Sequence, residues 1–271
     1  MQLIINADDL GYSPHRDAAI FELFRMGKIS AASLIVNGPT AATASEQARL
    51  VGLSMGLHLN LTEGEPLTTG LVGADGKLAY KMDFRRLAYS ASKDFMEAVD
   101  EEVTAQLEAF KALTGAYPTH VDGHQHVHIL PNMPTLMVPI FKMYGVQSIR
   151  IPEEDVDEYD WVSAERKKHY NVRYCDAVAA RMVYMQHGLQ LNDSFVGFAL
   201  SGNDMTANRL EKCLGQATGL TEMIVHPGFL PSTENGTAFC DTFDTDPGRQ
   251  AEFDCLSTFV FPQKVVSWSV F

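Results

Sequence analysis

The sequence predicts an α/β fold: one (β/α) barrel domain over residues 1–271, seven-stranded or incomplete. Three observations carry this. Short apolar runs alternate seven or eight times with stretches of helical periodicity. No break in composition, repeat or low-complexity tract divides the chain. Polar residues able to do chemistry recur where the strands should end, the face on which such barrels build their sites.

Taken in order, Leu3-Ile4-Ile5 reads as a buried first strand. Ser13-Pro14 then caps an amphipathic helix through Ile20, Leu23 and Phe24 to Gly27. Ser33 to Val36 and Met55 to Leu61 are the second and third strands. Phe95, Val99, Val103, Leu107 and Phe110 mark one face of a helix that Gly115 ends. Strands follow at His120–Asp122, Gln147–Ile151, Phe195–Phe198 and Met223–Val225, with a short final one at Val265-Val266. Long helical patterns cover 164–186 and 250–259. Residues 62–92 form the main irregular insertion, rich in glycine and placed directly after the third strand. Its length predicts a functional role, as a lid or rim over the site.

The formal net charge of −13 disfavours nucleic acid and anionic membranes, which are bound by clustered Lys and Arg. Cys175, Cys213, Cys240 and Cys255 form no C-x-x-C pair and are expected to be reduced thiols. No apolar run approaches the roughly 18 residues of a membrane span. The N-terminus lacks the pattern of a secretory signal, so the expected location is the cytoplasm.

Asp8 and Asp9 follow the first strand, and His58 lies in the third, on the face opposite Leu57 and Leu59. Neither observation alone exceeds what a turn or a hydrogen-bonded core histidine would explain. The run from His120 to His128 is more specific. It puts four histidines and Asp122 into nine residues, the neutral-imidazole and carboxylate mixture of metal sites. Arg150 lies in the fifth strand, and His226 closes the seventh before the turn signal Pro227-Gly228.

Four segments stand out together: Asn6-Ala-Asp-Asp-Leu-Gly11, Gly56-Leu-His-Leu-Asn-Leu-Thr62, Thr119-His-Val-Asp-Gly-His-Gln-His-Val-His128 and Val225-His-Pro-Gly-Phe229. These segments resemble the YdjC-like carbohydrate deacetylases, a family that includes the deacetylase of chitooligosaccharides. They stand in family order and span most of the chain; Leu10 replaces a frequent Phe. The resemblance implies a barrel-like fold related to the polysaccharide deacetylases. It implies a hydrolase of non-peptide C–N bonds that removes the acetyl group of N-acetylated sugars such as N-acetylglucosamine oligosaccharides. It makes Asp9, His58 and His124 the ligands of a divalent metal, Asp8 the general base and His226 the general acid. His126 and His128 are left with supporting or substrate-contacting roles. The family points to magnesium and to a homodimer. Two imidazoles and a carboxylate suit zinc better. On physical grounds Arg150 could orient Asp8 through a bidentate pair.

Other readings exist. His124-Gln-His126 is an H-x-H pair of the amidohydrolase kind. Glu63 and Glu65 could be offered as the carboxylates of a glycosidase, which would leave the histidines unexplained. A non-catalytic sugar- or metal-binding barrel predicts no turnover. Tyr80, Tyr159 and Trp161 are candidates for stacking on sugar rings or for the core.

Overall fold

The computed structural model describes residues 1–73, 75–79, 81–230 and 244–270. Its strands are β1 (Gln2–Leu10), β2 (Ala31–Leu34), β3 (Ser54–Leu59), β4 (His120–Gly123), β5 (Ser148–Ile149), β6 (Gln190–Leu191), β7 (Ser194–Val196), β8 (Leu220–Val225) and β9 (Lys264–Val265). The helices are α1 (Pro14–Arg25), α2 (Ala41–Val51), α3 (Lys81–Ser90), α4 (Lys93–Thr114), α5 (Met133–Met143), α6 (Ala164–Gln186), α7 (Ala207–Gln216) and α8 (Gly248–Thr258).

All pairings between these strands are parallel, in the order β6-β5-β4-β3-β2-β1-β8-β7, with β9 added at the start of β1. The two edges, β6 and β7, are separated in the chain only by Asn192 and Asp193. The sheet therefore curls until one chain segment serves both edges, its first half on β5 and its second half on β8. Asn192 makes the transition by accepting from Ile151 N–H at 2.7 Å and donating to Ile151 C=O at 2.9 Å. The barrel is thus incomplete in its hydrogen bonding, in line with the expected fold.

Strand alternation sorts the side chains. Leu3, Ile5 and Ala7 point outward into the main core, with Leu34, Leu57, Leu59, Val121, Met223 and Val225 and the apolar faces of the helices. The inward positions are polar in the upper part of the barrel and apolar at its floor. There Ile4, Ala31 and Trp268 form a separate cluster, and Trp268 stacks on the His120 ring with centroids 4.9 Å apart. Gly56 makes room for that ring: a Cβ on it would lie 2.1 Å from His120 Nε2.

Helix signals behave as expected where caps are strong. Ser13, Ser92 and Ser163 each accept a first-turn N–H, and Gly115, at φ +93°, ends α4. Two expectations need correction. The insertion at 62–92 is not wholly irregular, because α3 occupies its last third. The third strand stops at Leu59 and not Leu61, because the Asn60 side chain takes the Thr62 and Glu63 N–H groups at 3.2 and 3.1 Å and turns the chain. Among the described residues no helix is long and apolar enough to cross a membrane. Cys175, Cys213 and Cys255 form no disulfide; Cys240 and Tyr80 lie outside the described residues.

Candidate active site

Alternation along β1 puts Asp8 inside the barrel and would put Asp9 outside. Asp9 instead adopts φ +67°, and the β1–β2 register shifts between Ala7 and Leu10. This bulge brings both carboxylates to the barrel mouth, where both are buried. The turn that lets neighbouring aspartates share a site therefore lies at Asp9 itself, with Gly11 following at φ +88°. Asp is among the few residue types that tolerate this backbone region. The Arg16 guanidinium binds Asp9 and, through Nε at 2.7 Å, Asp244. Burial would raise the Asp9 pKa, but Arg16 and His124 outweigh it and hold the carboxyl well below its usual range.

His58, from β3, and His124, at the first position after β4, meet Asp9. His58 Nε2 is 3.3 Å and His124 Nδ1 2.9 Å from Asp9 Oδ1, and the two nitrogens are 3.4 Å apart. The opposite nitrogen of each ring faces a carboxylate. His58 Nδ1 is 2.5 Å from Asp122 Oδ1, and His124 Nε2 is 2.8 Å from Glu63 Oε2. Glu63 is itself held by the Tyr12 hydroxyl at 2.5 Å. With a cation beside Asp9, protons kept on the nitrogens facing Asp122 and Glu63 would leave His58 Nε2 and His124 Nδ1 as lone-pair donors. Two lone pairs and a carboxylate oxygen then converge on one point, within 4.8 Å of one another.

This cluster fits a metal ion. A second acidic group, Asp8, His58 and Asp122, has the same compactness, but both its carboxylates are committed to the Arg150 guanidinium at 2.6 and 2.8 Å. In the Asp9 group Arg16 holds Oδ2 and leaves Oδ1 to the two histidines. Without a cation the surrounding carboxylates favour the protonated imidazoles. Burial would lower the His58 pKa, yet Asp122, Asp8 and Asp9 override it and push it up to about 10; His124 is raised in the same way by Asp9 and Glu63.

The remaining histidines of the motif separate from these two. Gln125 and His126 take left-handed backbone at φ +54° and +61°, which folds the chain back after β4. His126 lines the same cavity as Asp9, His58 and His124, edge-on to Phe198. His128 turns away and donates from Nε2 to the Arg150 carbonyl at 2.9 Å, and burial pushes its pKa down to about 4. His120 is on the floor.

Asp8 is gripped by Arg150 in the bidentate pair expected of it, Oδ2 at 2.6 Å and Oδ1 at 2.7 Å. Asn6 Nδ2 also donates to Asp8 Oδ1 at 2.8 Å. Both lone pairs of Oδ1 are thus used, while Oδ2 keeps one. That oxygen is 3.9 Å from both His226 Nε2 and His58 Nε2. Arg150 reaches Glu222 as well, at 2.7 Å, and burial pushes that carboxyl up to about 8. Burial also lowers the His226 pKa, against the opposing pull of Asp8 and Glu252.

Asp8, Asp9, His58, His124 and His226 share one cavity of about 490 Å³. Glu63 and Lys81, both in the 62–92 insertion, line it too, so the insertion forms part of its wall. Tyr159 and Trp161 do not line it. Tyr159 is buried against the Trp161 ring, and Trp161 donates to Ala199 C=O. The supporting roles of Glu63, Asp122 and Arg16 were not legible in the sequence, although each histidine facing a carboxylate is a common arrangement in metal sites.

A family model described as YdjC-like protein matches residues 2–265. The carbohydrate deacetylase of Homo sapiens is 38% identical, over 95% of this chain and 84% of its own length. The chitooligosaccharide deacetylase of Serratia marcescens is 30% identical, over 94% of this chain and 90% of its own. Among solved structures, an Enterococcus faecalis V583 protein named for cellobiose-phosphate cleavage superposes with a TM-score of 0.68 at 23% identity, covering 95% of this chain and 90% of that one. That likeness supports the fold. With four motifs in order, a family match across nearly its whole length and relatives at these identities, the chain belongs to the YdjC-like family.

Proposed function

We propose that the chain is a carbohydrate deacetylase that hydrolyses the acetamido group of N-acetylated sugars such as N-acetylglucosamine oligosaccharides. Asp9, His58 and His124 hold a divalent ion, Asp8 is the general base and His226 the general acid. The convergence of three ligand atoms beside an arginine-anchored carboxylate with one free lone pair supports this reading best. The names of the relatives supply the substrate class. Magnesium follows from family resemblance and zinc from the two imidazoles of the donor set.

A bound ion supplies Lewis acidity, activating water and polarising the acyl oxygen. The protein supplies the proton path. Asp8 Oδ2 has the lone pair that takes the proton of the attacking water. Arg150 and Asn6 fix the rest of that carboxyl group and prevent it from rotating. An amine is too basic to leave unprotonated, and His226 Nε2, near Asp8 Oδ2, delivers the proton to the departing nitrogen. The glycosidase reading loses support here, since Glu63 is engaged by His124 and Tyr12 and Glu65 is exposed.

The decisive assay is acetate release from N-acetylglucosamine oligomers by protein stripped of metal and then reloaded with zinc or magnesium. Turnover should vanish on stripping and return with one ion per chain. A stripped protein of unchanged activity would refute the scheme.

Metal binding should also expel protons. In the metal-free protein Asp122, Asp8 and Asp9 push the His58 pKa up to about 10, and Asp9 and Glu63 raise that of His124, so the protonated imidazoles compete with a cation. Each must lose its proton to coordinate. Apparent affinity should therefore rise with pH through the neutral range, by about tenfold per pH unit for each proton displaced. Calorimetry in buffers of different ionisation enthalpy measures the number released. A pH-independent affinity would show that the histidines are not ligands.

A further inference from the structure

We infer that Glu252 and Arg249, both on α8, are positioning residues for His226; the inference rests on the reading of His226 as the general acid. β8 ends at Val225, paired with Ala7, so His226 stands one residue beyond the last ladder pair. The residue after it is Pro227, which offers no N–H. Its backbone is gripped from outside the barrel. Glu252 Oε2 accepts the His226 N–H at 2.6 Å, and Arg249 Nη1 donates to the His226 C=O at 3.1 Å. The two side chains are three residues apart, about one helical turn, and bind each other at 3.0 Å.

The grip extends to both sides of the site. Glu252 Oε1 takes the Gly202 N–H at 2.7 Å, next to Ser201, which lines the cavity. The Arg249 carbonyl takes the Gly228 N–H at 3.1 Å, and the Phe253 ring meets Phe229 at 4.7 Å. Close packing accompanies these bonds: a Cβ on Gly248 would lie 2.7 Å from the Gly202 Cα. Glu252 and Arg249 are themselves fully buried. Burying a carboxylate and a guanidinium is costly, and a helix that needed only to cover a loop could do so with apolar side chains. The pair instead fixes both backbone polar groups of one residue, His226, in the two peptide units that flank its Cα. A proton donor misplaced by about 1 Å can cost 10²-fold in rate, so this is the kind of restraint an acid requires.

Acetate-release kinetics on Glu252→Gln, His226→Ala and the double variant test this. Gln is isosteric, but its single carbonyl oxygen replaces a carboxylate that served two N–H groups. Glu252→Gln should lower kcat by roughly 10–100-fold, with KM and metal affinity near wild type. In the His226→Ala background it should have no further effect on kcat, because the imidazole it positions is gone although the backbone bond remains. Arg249→Lys, which removes the fork but keeps the charge, should repeat the pattern and serves if Glu252→Gln does not fold. An equal fall in both backgrounds, or an effect on KM alone, would reduce the pair to a structural staple. If His226→Ala retains wild-type kcat, the acid assignment itself fails and the positioning role with it, an outcome recognisable before α8 is altered.

Discussion

Asp8→Asn is expected to bind the divalent ion as the wild type does and to release acetate roughly 10²–10⁴-fold more slowly. The amide keeps the shape of the carboxyl group, and Asp8 is not among the three groups that converge on the ion in the proposed scheme. What it loses is the basic lone pair on the oxygen facing His226 and His58. Arg150 retains Asp122 and Glu222 as partners, so its charge does not become unpaired in the interior. The fall should appear in kcat. Metal titration and steady-state kinetics on the same preparation separate the outcomes: loss of the ion would mean that Asp8 is a ligand, and retained turnover would mean that another group is the base.

Asp9→Asn should do the reverse and fail first at metal binding. It removes the only anionic member of the proposed ligand set, while Arg16 still has Asp244. Removing a carboxylate that only backs a histidine typically costs 10–100-fold in metal affinity. Asp122→Asn and Glu63→Gln should fall in that range, and Asp9→Asn should exceed both. Isothermal titration across the three variants tests the ranking. Equal losses in Asp8→Asn and Asp9→Asn would abolish the division of labour between the neighbours.

Much of this was legible in the sequence because residue type and strand position suffice for it. His58 could be placed inside the barrel from its leucine neighbours alone, and Asp8 from the alternation of β1. The position of Asp9 could not, because alternation fails at a bulge and the sequence marks that bulge only by an aspartate able to adopt it. Partner choice was equally hidden. Glu63 reaches His124 across 61 positions and Asp122 reaches His58 across 64, distances over which no local pattern operates. Four helices, α2, α3, α5 and α7, escaped periodicity, two of them for visible reasons. The inner face of α2 is made of Ala41, Ala44, Ser45 and Ala48, too small to register as an apolar stripe. In α5, Pro139 interrupts the helical signal. The two-residue strand β6 is too short to carry any period.

The apolar floor has a consequence for occupancy. Ile4, Ala31 and Trp268 stopper the narrow end of the barrel, and the His120 ring lies flat upon the stopper. Among the described residues this plug backs the cavity that Glu63 and His226 line, so under the proposed function whatever occupies that cavity is kept at the end of the barrel opposite Trp268.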